Sequence, residues 1–171
     1  MIRSVKKLKG LASILKKDDN ILISGAIELL REEQPFNDAI GLLTSFYDQT
    51  DEYSIRKKIE GFMNDLKDQT ATEEVINEIR KKWKPATISM LVSSCWQSGL
   101  NYSDYALDLI KVFLEGDYVT AIECLSVIEE FSSDLTRQTK DEIIRTLEEN
   151  PIPTANEKST LLLELKTILT N

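Results

Sequence analysis

The chain contains no histidine among its 171 residues. Histidine is the commonest general base and zinc ligand in proteins, and it usually activates serine and cysteine nucleophiles. The acidic residues offer no substitute, since Asp104, Asp108 and Glu115 have the i, i+4 and i+11 spacing of one exposed helix face. We therefore expect a protein that is not an enzyme, with no catalytic residue, no metal site and no cofactor.

Cysteine, glycine and proline are scarce, with two, six and four residues respectively. Cys95 and Cys124 each lie in an apolar segment, and we expect both to be buried free thiols in a reducing cytoplasm. A disulfide between them would need an oxidising compartment, and no secretory signal supports one. No apolar run reaches the roughly 18 residues that a membrane-spanning helix needs, so we expect a cytoplasmic protein without a transmembrane segment.

Basic residues are outnumbered by acidic ones, and the net charge is −8. The imbalance is greatest in residues 101–134, where eight acidic residues accompany Lys111 alone. Binding to a phosphate backbone depends on clustered Lys and Arg, so this composition argues against nucleic acid as the main partner. The acidic excess in residues 101–134 suits a basic protein partner. A helix face exposed to solvent is the simpler explanation of the same excess.

Residues 1–17 are the exception, because they carry six basic residues and no acidic one. Their apolar residues form one stripe at helical spacing, with the lysines opposite. This pattern is typical of a terminal helix whose polar outer face keeps a helical array in solution. It is also compatible with weak contact between residues 1–17 and an anionic membrane surface.

Apolar residues recur at helical spacing along nearly the whole chain, and no segment alternates as a strand would. Breaks are expected at Pro35, Pro85 and the Pro151–Pro153 turn, and left-handed helix ends at Gly99 and Gly116. Capping boxes are expected at Thr70–Glu73 and Thr154–Glu157. The pattern predicts ten helices, near 4–17, 20–33, 36–48, 53–67, 72–82, 86–98, 103–115, 118–131, 136–149 and 157–170.

Every second predicted helix begins near residues 20, 53, 86, 118 and 157, at intervals of about 33 residues except the last, which the Pro151–Pro153 turn lengthens. Three of these starts follow an acidic residue, at Asp19, Asp51 and Asp117. An acidic residue there favours the positive end of the helix, and the apolar residues after it are expected to dock on the previous pair. Such spacing is typical of a helical-repeat array.

The segment Asp51-Glu52-Tyr53-Ser54-Ile55-Arg56 resembles HEAT-like, armadillo-type repeats, whose second helix often opens with an acidic turn and an aliphatic–Arg pair. Asp117 with Val119 matches in part. The resemblance implies a single all-α domain over residues 1–171, with antiparallel helix pairs stacked as a right-handed superhelix, an α-solenoid. It also implies that the second helices line a concave face and that macromolecular recognition is the task. A compact irregular bundle is the alternative.

The stretch from Pro85 to Ser103 carries no charge, which is unusual in a chain with 29% charged residues. It is either a central helix covered on both sides, or a groove of neutral hydrogen-bonding groups with Trp96 as an aromatic anchor. Tyr102 and Tyr105 follow at the next turn. They either belong to a partner site or pack between adjacent repeats. The hypothetical partner site comprises Trp96, Gln97, Asn101, Tyr102, Asp104, Tyr105, Asp108, Glu123 and Glu130.

Taken together, these patterns favour a non-enzymatic protein-interaction or scaffold module whose acidic surface suits a basic protein. The alternative is a helical-repeat protein that binds nucleic acid or a nucleotide, through the short basic clusters at 56–58 and 80–84. Leu91 and Ile122 are expected in the core, where an aspartate would be strongly destabilising.

Overall fold

The computed structural model describes residues 4–32 and 36–170 and is all-helical, without a β-strand in those residues. The predicted all-α class is therefore confirmed, and so is the expectation of ten helices. Short 3-10 turns at Ser103–Tyr105 and Ser132–Asp134 follow α6 and α8. The helices are α1 Val5–Leu15, α2 Asn20–Glu32, α3 Ala39–Gln49, α4 Tyr53–Asn64, α5 Ala71–Ile79, α6 Pro85–Gln97, α7 Ala106–Glu115, α8 Tyr118–Phe131, α9 Arg137–Glu149 and α10 Ser159–Thr170.

The chain divides into two compact units, residues 1–100 and residues 101–171. In unit 1, helices pack in the pairs α1–α2, α3–α4 and α5–α6. Each of the first four helices also packs on the helix two positions later: α1 on α3, α2 on α4, α3 on α5 and α4 on α6. In unit 2, α7 packs on α8 and α9, and α10 packs on α8 and α9.

Side-chain links show that α2 and α4 run in the same direction. Arg31, in the last turn of α2, pairs with Asp65 at the end of α4. Glu28, one turn earlier on α2, pairs with Lys58, which lies seven residues before Asp65 on α4. Since the two contacts follow the same order along both helices, α2 and α4 lie parallel, with their first turns at the same end.

The uncharged helix α6 is largely buried in unit 1. Leu91 and Val92 are completely covered, so the core position predicted for Leu91 is confirmed. Two buried serines bond to their own helix backbone, with Ser94 Oγ donating to the Leu91 carbonyl at 2.7 Å and Ser98 Oγ to that of Cys95 at 3.2 Å. Neutral hydroxyls therefore fit this core because the helix backbone satisfies them.

Several expected details of helix ends differ from the structure. Gly99 is left-handed as predicted, with φ 67°, but Gly116 is extended, with φ −73°. The Thr70 hydroxyl donates to Asp68 at 2.7 Å rather than capping α5. The last helix begins at Ser159, so Thr154 and Glu157 lie in the preceding turn. Pro85 begins α6 as expected, whereas Pro35 lies outside the described residues.

Two further predictions concern side-chain burial. Cys95 and Cys124 are buried free thiols, as predicted. The core position predicted for Ile122 is wrong, because that side chain is 39% exposed. Ala121 and Cys124 face inward on α8 instead, and the helical period turns Ile122 away from them. None of the helices in the described residues is long and apolar enough to cross a membrane.

Candidate functional site

Two of the alternate helices, α2 and α8, begin with an acidic cap. An Asp19 carboxylate oxygen accepts a hydrogen bond from the Leu22 amide at 2.9 Å, at the start of α2. Asp117 accepts one from the Thr120 amide at 2.8 Å, at the start of α8. That bond holds the pKa of Asp117 below its ordinary value. The predicted role of these acids at the positive helix end is therefore observed for Asp19 and Asp117.

The first apolar side chains after Asp19, Asp51 and Asp117 include three that face solvent. Ile21, Tyr53 and Val119 are 87%, 72% and 57% exposed, so for these three the expectation of docking on the previous helix pair is wrong. The residues two positions further along α2 and α4, Ile23 and Ile55, are buried instead. The helical period explains the difference, since a two-residue step turns a side chain to the other side of the helix.

In unit 1 the first turns of α2 and α4 are both exposed. Because the two helices pack in parallel, these turns lie at the same end of the pair. We call this the first-turn surface, comprising Asp19, Ile21, Leu22, Asp51, Glu52 and Tyr53. It combines three exposed carboxylate residues with three exposed apolar ones. The Tyr53 ring already accepts a cation, since Lys57 Nζ lies 5.6 Å from its centroid.

The predicted partner residues of unit 1 lie at the end of α6. Trp96 and Gln97 are both exposed. The Gln97 side chain links helices, because its oxygen accepts from Asn64 Nδ2 at 2.6 Å and its nitrogen donates to Ser93 Oγ at 2.7 Å. Gln97 is therefore held in the stack, whereas Trp96 presents part of its indole ring to solvent.

The other predicted residues belong to unit 2. Asn101 caps the turn that follows it, accepting from the Ser103 amide at 2.8 Å, and its Nδ2 donates to Asp134 at 2.8 Å. The Tyr102 ring is 1% exposed and lies in the core, so it offers no surface to a partner. Asp104 and Glu130 are exposed, and the remaining three, Tyr105, Asp108 and Glu123, are half-buried.

A small depression in unit 2 brings Asp104 together with two acids that the sequence analysis did not select. The depression has a volume of about 210 Å³, and its lining includes Asp104, Asp134 and Glu142 but no basic residue. Hydroxyls of Ser103, Thr136 and Thr139 complete its polar wall. We call it the acidic depression. Glu123 and Glu130, predicted for the same site, do not line it.

One signal in the sequence pointed to Asp134. The Asn101–Asp134 bond spans 33 residues, and so does the Asn64–Gln97 bond of unit 1. Both bonds therefore follow the repeat interval of about 33 residues that the helix starts display. Searching for polar residues one interval after Asn101 would have selected Asp134.

The two basic clusters are engaged within unit 1. Arg56 lies 4.2 Å from the Tyr47 ring centroid, Lys57 pairs with Glu60 at 2.6 Å, and Lys58 pairs with Glu28. In the second cluster, Arg80 donates to Asn77 at 3.1 Å, Lys81 pairs with Glu78 at 2.5 Å, and Lys84 donates to the Asp48 carbonyl at 2.5 Å. Contacts to phosphate would compete with these internal bonds.

Comparison with protein-family models, curated proteins and solved structures gave no match for the chain. In residues 4–32 and 36–170, moreover, no group of three or more His, Cys, Asp or Glu side chains is arranged to hold a metal ion. The first-turn surface and the acidic depression are therefore the features from which a function can be inferred.

Proposed function

We propose that this protein is a non-enzymatic interaction module that binds a basic protein partner through the first-turn surface. The observation that carries the proposal is the exposure of Ile21 and Tyr53 beside acidic residues at equivalent helix positions. Large apolar side chains that are exposed together mark contact sites, and aromatic anchors contribute most of their binding energy. The neighbouring carboxylates would favour a partner of opposite charge.

The repeat-like packing supports the same proposal. Within unit 1, each of α1 to α4 packs on its pair partner and on the helix two positions later, as HEAT-like repeats do. The interhelical bonds at intervals near 33 residues agree with this arrangement. We therefore propose that the helix pairs are HEAT-like repeats of a right-handed α-solenoid, in which the first turns of α2 and α4 form a recognition surface.

The acidic depression of unit 2 would provide a second contact. Its three carboxylates and the excess of acids over Lys111 in residues 101–134 favour a basic segment there. Asp104 is the predicted site residue that this contact would use. Nucleic acid is the less favoured partner, because the basic clusters are already paired with acidic, aromatic and carbonyl groups.

The proposal is tested by affinity capture with matched variants. The double variant Ile21→Ser/Tyr53→Ser removes both anchors, and Leu163→Ser on α10 is a control of similar exposure. We expect the wild type and the control to retain the same basic protein and the double variant to lose it. Retention of every captured protein by the double variant, or capture of nucleic acid in place of a protein, would contradict the proposal.

A further inference from the structure

A second depression lies in unit 1, between α1, α3 and α5. Its volume is about 520 Å³, within the range of small-molecule and side-chain pockets. Leu8 of α1 and Leu42 of α3 contribute apolar wall, and Asp38, Glu74 and Glu78 contribute carboxylates. None of these residues belongs to the first-turn surface, so the inference drawn here does not depend on the proposed function.

Glu78 is the unusual residue of this depression. It is 4% exposed, and one of its carboxylate oxygens, Oε1, pairs with Lys81 at 2.5 Å. The other oxygen, Oε2, is fully buried and has no hydrogen-bond partner in the part of the chain that the structure describes. A buried carboxylate with an oxygen that lacks a donor is costly, so an additional positive charge beside Glu78 would be favourable.

The opposite wall is shaped to receive this carboxylate. A Cβ atom on Gly41 would lie 2.7 Å from Glu78 Oε1, so the glycine lets the carboxylate approach the α3 backbone. Glu74 lies beside it, accepting from the amides of Asp38 and Gly41 at 3.2 Å each. Burial nevertheless raises the pKa of Glu74, because the two amide bonds only partly offset the loss of water. An additional positive charge would stabilise both carboxylates.

The charges and shape of the depression define the group that fits. Three acidic residues line it against one basic residue, Lys81, whose side chain is about half exposed. The leucine walls suit an aliphatic stem. A guanidinium group is less strongly hydrated than an ammonium group and offers five donors in a planar fork, which suits partly buried carboxylates.

We propose that the depression between α1, α3 and α5 binds an arginine side chain of a partner, with the guanidinium group pairing with the Glu78 carboxylate and the stem lying on Leu8 and Leu42. Lys81 pairs with Glu78 in the absence of a partner, and the arginine partly replaces it there. A neutral side chain of the same shape does not bind, because it leaves the excess negative charge uncompensated.

The test is an NMR titration of the full-length chain with acetyl-arginine methylamide as the probe. The amides of Asp38 and Gly41 report on the depression, because both donate to Glu74. We expect saturable shifts of both signals with the arginine compound, none with the neutral citrulline analogue and weaker binding of the lysine analogue. Equal shifts with arginine and citrulline, no saturable shift with arginine, or equal affinity for arginine and lysine would overturn the proposal.

Two variants separate binding from folding. Glu78→Gln should raise the dissociation constant of the arginine compound by about tenfold or more, because it removes a charged hydrogen bond. Lys81→Met should lower it several-fold, because it removes the competing ammonium group from Oε1. An unchanged dissociation constant in Lys81→Met contradicts the proposal even if Glu78→Gln fails to fold.

Discussion

The Lys158 ammonium group donates a hydrogen bond to the Gly116 carbonyl at 2.8 Å, although the two residues are far apart in sequence. It also donates to the carbonyls of Phe113 and Leu114 at 3.0 and 2.8 Å. These are carbonyls at the end of α7, where the helix backbone provides no donors. A buried cation thus caps the negative end of a helix.

Lys158→Met should therefore destabilise unit 2. The substitution keeps most of the buried stem but leaves three carbonyls without their donor, and we expect a loss of about 2–3 kcal/mol in the free energy of unfolding. Urea denaturation measures the change. Lys111→Met is the control, because its exposed pair with Glu115 should contribute less than about 1 kcal/mol. Equal small effects in both variants would show that the Lys158 cap contributes little.

Leu91→Asp and Ile122→Asp should now differ, although the sequence alone predicts similar effects. Leu91 is completely buried, so a carboxylate there would cost about 4 kcal/mol or more. Ile122 is 39% exposed, and its replacement should cost less than about 1 kcal/mol. Thermal unfolding followed by circular dichroism distinguishes the two. A large fall in the midpoint for Ile122→Asp would place that side chain in the core after all.

Gly116→Ala and Gly25→Ala should shift stability in opposite directions. A Cβ atom on Gly116 would lie 2.8 Å from the Val112 carbonyl oxygen, so the end of α7 must move, at a cost of about 1–3 kcal/mol. Gly25 lies within α2 with open space around its Cα, and alanine there should add about 0.5–1 kcal/mol. Denaturant midpoints measure both changes. Stabilisation by Gly116→Ala would contradict the close approach at this turn.

The contribution of the Asp117 cap should depend on pH. Its pKa is lowered in the folded protein from an ordinary value of 3.8, mainly by the hydrogen bond from the Thr120 amide. The charged form is thus favoured by folding, and the cap contributes its full stabilisation above pH 3.8 and loses it as the pH falls through the folded pKa. Asp117→Ala should cost about 1 kcal/mol at pH 7 and less in acid. A cost that does not change with pH would exclude a charged cap.

Helix positions could be predicted because their signals are local. Helices α2, α4 and α8 begin at Asn20, Tyr53 and Tyr118, where the acidic residue and the apolar period placed them. The exposure of Ile21 could not be predicted, because an apolar residue in a first turn faces the core or solvent according to how the whole helix is rotated against its neighbours. The same rotation brings Ile122 to the surface.

The charged residues of the candidate sites were harder to predict. Glu78 has the sequence context of a solvent-facing acid, and its burial depends on the close approach to Gly41 of another helix. Lys158 is buried because carbonyls at the end of α7 surround its ammonium group. Such residues depend on tertiary contacts, so no local pattern distinguishes them from ordinary surface charges. Asp134 is different, because the repeat interval connects it with Asn101.

Site-specific photo-crosslinking shows whether a basic protein binds the first-turn surface. A photoreactive phenylalanine analogue replaces Tyr53 in one variant and the similarly exposed Leu163 in another. We expect position 53 to form a covalent adduct with a basic protein, Ile21→Ser to abolish this adduct, and position 163 to form none. Adducts of equal yield at both positions, or no protein adduct at position 53, would contradict the proposed binding.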